Sequence, residues 1–170
     1  MAWAADVFTL SSPAVQDNGA LATKNACSDK QRSPNCVDEN ISPPLAWSNA
    51  PEGTKSFALL LLDTEGRAPT GVSHMVVYGI PADVTGFAEG ELSKPSEKFV
   101  GGKNLMGIGT YFGPGTPQNV DWHHYTFTLV ATDLDPKALQ PGLTREELAA
   151  ALQNHVKGSA GLVTRFKHPS

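Results

Sequence analysis

Four side chains in this sequence have the types and places that could do chemistry together: Asp63, His74, His123 and Tyr125. Asp63 ends the apolar run Ser56-Phe57-Ala58-Leu59-Leu60-Leu61-Leu62, and His74 opens the run Met75-Val76-Val77-Tyr78. His123 and Tyr125 lead into Thr126-Phe127-Thr128-Leu129-Val130-Ala131-Thr132. Alternate residues of a strand share a face. Asp63 therefore follows Phe57, Leu59 and Leu61, and His123 goes with Tyr125 and Phe127. By the same parity His74 goes with Val76, Tyr78 and Ile80, and His124 points away from His123. Polar groups at the ends of apolar strands can converge on one cleft at a sheet edge, where low dielectric strengthens charge interactions.

Asp63, His74 and His123 could serve as general acid and base in a small-molecule lyase, cyclase or hydrolase. No activated nucleophile accompanies them, because Ser73 adjoins His74 on a strand and no Gly-x-Ser-x-Gly elbow is present. The same two histidines and aspartate could ligate a metal, but no His-x-x-x-His pair supports that, and no metal is expected. No cofactor is expected either: the glycines between Gly101 and Gly115 match neither a phosphate-binding loop nor a dinucleotide fingerprint. Each residue also has a plainer reading. Asp63 could cap a turn, His155 belong to a helix face, His124 pack at the surface, and His168 be solvated near the terminus.

These groups must be held by strands. The sequence predicts strands at Ser56–Asp63 (central, buried on both faces), at His74–Ile80 stopped by Pro81, and at Tyr125–Thr132. One helix is predicted from Thr144, capped by a Thr144/Glu147 capping box, with Leu148, Leu152, His155 and Val156 on one face and Gly158 as terminator. Gly161–Phe166 is read as a last strand. Gly101–Pro117 is a loop long enough to suggest binding. The expected architecture is mostly β and antiparallel, with a late helix, as a single domain over residues 1–170.

The chain has 170 residues, 40% of them hydrophobic and 18% charged, enough to bury a core. Thirteen Lys+Arg against 17 Asp+Glu leave a net charge of −4, which disfavours nucleic acid and anionic membranes as partners. No apolar run approaches the roughly 20 residues of a membrane span. Met1–Asp6 shows neither a basic nor an apolar leader region, so both a cytoplasmic protein and a secreted or periplasmic one after signal removal remain open. Cys27 and Cys36 bracket a polar stretch and are read as a short disulfide in an oxidising compartment. Asn40-Ile41-Ser42 is a formal glycosylation sequon weakened by Pro43.

Several segments, in order, resemble the phosphatidylethanolamine-binding protein family, in particular its bacterial-type Raf-kinase-inhibitor-like branch. They are Asn40-Ile41-Ser42-Pro43-Pro44-Leu45-Ala46-Trp47-Ser48, Pro51-Glu52-Gly53-Thr54-Lys55-Ser56-Phe57-Ala58, His74 with Gly79-Ile80-Pro81, Gly113-Pro114, and His123-His124-Tyr125-Thr126-Phe127. The resemblance runs from about Val7 to about Phe166. It implies an antiparallel β-sandwich with a peripheral C-terminal helix and a small anion pocket for phosphate-bearing head groups. Carried over, Asp63 and Glu65 match the two acids of the family's Asp-Pro-Asp motif, and His74 its second-motif histidine. Gly113 and Pro114 match its Gly-Pro loop, and His123 and Tyr125 its His-x-Tyr positions. Thr64 stands where the family has proline, and Val72, Ser73 and Met75 where many relatives have aromatic residues.

The resemblance implies a non-catalytic binding protein for a small anionic or phosphorylated ligand at Asp63, Glu65, His74, Gly113, Pro114, His123 and Tyr125. Two imidazoles, a phenol and backbone N–H groups supply donors without a permanent cation. Asp63 is expected to accept from a ring nitrogen of His74 or His123, and affinity to rise as pH falls. The enzyme stays as an alternative, as does a regulator binding a protein partner, since eukaryotic relatives regulate kinases. Either a monomer or a homodimer is compatible with the sequence.

Overall fold

The computed structural model describes residues 6–169, so all but Asp6 of the N-terminal segment read above for a leader lies outside the described residues. The strands are β1 (Thr9–Ser11), β2 (Gly19–Ala20), β3 (Leu45–Ser48), β4 (Ser56–Asp63), β5 (Val72–Pro81), β6 (Gly86–Phe87), β7 (Val100–Gly101), β8 (His123–Thr132) and β9 (Val156–Phe166). One helix, α1 (Arg145–Ala151), precedes β9. A three-stranded sheet, β1-β3-β6, faces a six-stranded sheet, β2-β9-β8-β4-β5-β7. All pairings are antiparallel except β2 with β9. The mostly β sandwich with a peripheral C-terminal helix is thus present.

Alternation builds the core. Phe57, Leu59 and Leu61 of β4 and Phe127, Leu129 and Ala131 of β8 pack towards Leu10, Leu45, Trp47 and Phe87 of the smaller sheet. The opposite face of the large sheet, with Ala58, Val76 and Tyr78, is covered by Leu148 and Leu152 of the α1 segment. At roughly 1.5–3 kcal/mol per fully buried large apolar side chain, these two layers supply most of the driving force for folding. β4 lies between β5 and β8 and is central, as expected.

The helix starts where predicted: the Thr144 side chain accepts from the Glu147 N–H and the Glu147 carboxylate from the Thr144 N–H. It ends early, which corrects the expected helical face. Leu152 is the C-cap and Asn154 adopts φ 68°, a left-handed turn that asparagine tolerates. His155 and Val156 therefore leave the helix. His155 Nδ1 pairs with Asp133 at 2.7 Å, and Val156 begins β9, with Gly158 inside the strand. The Cys27–Cys36 disulfide is formed, with S–S 2.05 Å, and is buried against Phe112. No helix among the described residues is long and apolar enough to cross a membrane.

Candidate functional site

Asp63 and Tyr125 are direct cross-strand partners in the β4–β8 register, so period-2 alternation puts both on the core face at the sheet end. His123, two residues before Tyr125, shares that face. His74 does not obey the parity read from the sequence. Val76 and Tyr78 face α1, whereas Met75, Val77 and Ile80 face the sandwich core. The parity switches at Gly79, at φ 62°, and again at His74. Leu61 pairs with Met75 but Leu62 pairs with Ser73, so His74 is the extra residue of a bulge. The bulge re-aims its ring to the side of Asp63 and Tyr125. The His74 ring meets Tyr125 edge-on at 5.1 Å and stacks on Phe112 at 6.0 Å.

Hydrogen bonds fix each ring. His123 Nδ1 lies 2.9 and 3.1 Å from the two Asp63 oxygens and donates to that carboxylate. Asp63 Oδ1 also accepts from the N–H groups of Glu65 and Gly66, at 3.0 Å each, which closes the turn after β4. His74 Nδ1 donates to the Phe112 carbonyl at 2.8 Å. With both Nδ1 atoms committed, Nε2 is the ring atom each histidine has free for a ligand. Burial pushes the His74 pKa below its usual 6.5, and the Phe112 and Gly113 carbonyls and the Asp63 charge offset this only in part. His74 is therefore neutral at pH 7. Burial, reinforced by the Asp63 charge, raises the Tyr125 phenol well above its ordinary range, and its hydroxyl pairs with Thr116 Oγ1 at 2.9 Å.

The wall opposite the sheet is the segment 102–117, which two asparagines organise. Asn104 Nδ2 donates to the His74 and Thr110 carbonyls, and its Oδ1 accepts from Met106 and Ile108. Asn40 Nδ2 donates to the Tyr111 carbonyl, and its Oδ1 accepts from the Gly113 N–H at 2.7 Å. The sequon asparagine is thus a clamp with both ends of its amide engaged. Gly113 packs so closely on the Asn25–Cys27 backbone that a Cβ there would collide with the Asn25 carbonyl. Pro114 accepts from the Cys27 N–H. Gly113 and Pro114 lie behind the cleft wall and are not among the residues lining it.

The cleft has a volume of about 430 Å³ and brings together Asp63, Glu65, His74, His123 and Tyr125. Glu65 turns to the outer histidine: His124 Nδ1 and N–H reach its two oxygens at 2.7 and 2.8 Å. Partial burial pushes Glu65 upward, but the bonds from His124 and Thr64 outweigh this and hold the carboxyl down at about 2. The sequence reading missed this role of His124, which it took for a packing residue. It also missed Arg67, Leu105, Met106 and Phe112, which line the cleft. Arg67 sits in a turn whose course follows from no periodicity, and Phe112 was legible only as part of a long loop. Ligand atoms of Asp63, Glu65 and His123 lie within 4.8 Å of one another. Asp63 and Glu65 already accept bonds from the two histidines, with which a cation there would compete.

Comparisons with known proteins agree with this architecture. A family model described as phosphatidylethanolamine-binding protein matches residues 11–167. A UPF0098 protein of Methanothermobacter thermautotrophicus is 38% identical over 151 residues, 84% of this chain and 95% of that protein. The Escherichia coli UPF0098 protein YbhB is 30% identical over 132 residues, 75% of this chain and 82% of its own. Among solved structures, E. coli YbcL, described as a member of the mammalian PEBP family, is similar with TM-score 0.82 and 27% identity over 94% of this chain and 98% of that one. A phosphatidylethanolamine-binding protein homologue from Chlamydia trachomatis gives TM-score 0.79 and 28% identity over 95% and 98%.

Proposed function

This chain belongs to the phosphatidylethanolamine-binding protein family, and from that membership we propose that its cleft binds a small anionic or phosphorylated ligand without covalent chemistry. The observation that carries the reading is the pair of pinned imidazoles. His74 and His123 share one cleft, each with Nδ1 committed and Nε2 left for a ligand, and Arg67 stands at the rim. A phosphate monoester suits this set. His74 and His123 each donate from Nε2 to a phosphate oxygen, a neutral ring first taking a proton from the ester or the solvent. Asp63 acts as a positioning residue for His123, and Glu65 does the same for His124 at the rim. Gly113 and Pro114 support the wall through packing. Phe112, Leu105 and Met106 shield the bonds from water, which strengthens them.

The test is capture of small molecules from a host extract, comparing wild type with a His74→Ala/His123→Ala variant and identifying retained compounds by mass spectrometry. Intact phosphorylated or carboxylated compounds retained by wild type alone support the reading. If wild type instead consumes one compound while another accumulates, the cleft is catalytic and Asp63, His74 and His123 become its acid–base groups.

A further inference from the structure

The cleft is open on its Arg67 side. Arg67, Val72 and Leu105 line both the cleft and a second groove of about 380 Å³, whose other walls carry Lys103 and Arg145. The groove therefore gathers three cationic side chains against one acid, Glu146, in a chain whose net charge is −4. Arg145 pairs with Glu146 at 2.8 Å, whereas Arg67 and Lys103 have no ion pair among the described residues.

Arg67 is unpaired for a reason visible in its neighbours. Glu65, two residues away, has both oxygens occupied by His124, and Asp63 is occupied by His123 and two backbone N–H groups. The two acids that share the cleft with Arg67 are thus satisfied by other donors, and the guanidinium keeps its charge for something else. Arg67 also holds φ at 49°, a left-handed conformation that is costly for a residue with a Cβ. Strained residues of this kind cluster at ligand clamps.

We propose that the groove is the second lobe of one continuous site, and that the ligand carries two anionic groups. One sits at His74 and His123 and the other at Arg67, Lys103 and Arg145, joined by a short apolar segment over Val72 and Leu105. The proposal rests on the anion-binding reading of the cleft. The second group is a phosphate or a carboxylate, since either makes charge-assisted bonds to guanidinium and ammonium.

Calorimetry with butyl phosphate, with ethane-1,2-diyl, butane-1,4-diyl and hexane-1,6-diyl bisphosphates, and with 4-carboxybutyl phosphate tests it. One of the two-headed probes should bind about tenfold more tightly than butyl phosphate, an advantage that shrinks with added salt. Preference for a bisphosphate or for the carboxylate identifies the second group. Lys103→Gln/Arg145→Gln should bring the ratio of affinities back towards one. Glu146→Gln, a change at an exposed position that frees Arg145, should widen it. Equal affinity for one- and two-headed probes, or an advantage that survives in Lys103→Gln/Arg145→Gln, overturns the second lobe while leaving the cleft reading intact. Absence of butyl phosphate binding to wild type overturns both.

Discussion

Ligand binding should be coupled to proton uptake at His74. In the free protein this ring is buried and neutral, its Nδ1–H on the Phe112 carbonyl and its Nε2 a bare lone pair. A phosphate monoester is a dianion above its second pKa of about 6. Lone pair and oxyanion repel, so the complex must hold a proton between them. At about 4 Å and an effective dielectric of about 20, one unit charge stabilises the imidazolium by roughly 4 kcal/mol, about 3 pKa units. Between about pH 7 and 8.5, affinity for butyl phosphate should rise as pH falls, about tenfold per unit for each proton taken up, and flatten near pH 6 where the ester binds the proton itself.

The groups facing His74 are Asp63, whose charge favours the imidazolium, and His123 and Tyr125. Calorimetry in buffers of different ionisation enthalpy reads the proton directly. His74→Gln should reduce the slope. A flat affinity over that range, no proton uptake, or an unchanged slope in His74→Gln would refute the reasoning. The sign for stability is opposite. Because the folded pKa lies below the ordinary 6.5, unfolded His74 binds its proton first, so stability is full above pH 6.5 and declines below it. Saturating butyl phosphate should reduce that decline.

Three further outcomes follow from the same geometry. Asp63→Asn sets an amide against His123 Nδ1–H and removes a charge-assisted bond, which should cost about 1–3 kcal/mol and lower Tm by about 2–4 °C per kcal/mol, read by thermal denaturation. Gly113→Ala should cost about 3 kcal/mol in a urea melt, because the new methyl meets the Asn25 carbonyl; a change below about 0.5 kcal/mol would contradict the packing. Cys27→Ala/Cys36→Ala opens a loop with a sequence separation of 9 and should cost about 2.5 kcal/mol. It should also weaken butyl phosphate binding, since Phe112 packs on the disulfide.

How far the site was legible depends on which rule each residue obeys. Asp63, His123 and Tyr125 lie on regular strands, where a period of two fixes the face, and the register sets Asp63 directly opposite Tyr125. His74 was found by type and by resemblance, but its face was misread. A one-residue bulge between the Leu61–Met75 and Leu62–Ser73 pairs leaves no mark in hydrophobic periodicity. The helix start followed from a capping box, a local signal, whereas its end depended on Asn154 adopting a left-handed turn ahead of the more obvious Gly158. Glu65 was placed by resemblance in the ligand set, and its bonds to His124 arise from a turn geometry that alternation does not encode. Asn40 illustrates the same limit: read as a sequon, it braces the wall behind His74.

The most direct measurement is long-range ¹H–¹⁵N correlation of the imidazole rings during titration with inorganic phosphate. The account predicts that the Nε2 resonances of His74 and His123 move together along one saturation curve, while those of His155, tied to Asp133, and of His168 stay still. Static His74 and His123 resonances, or movement confined to His155 and His168, would contradict it.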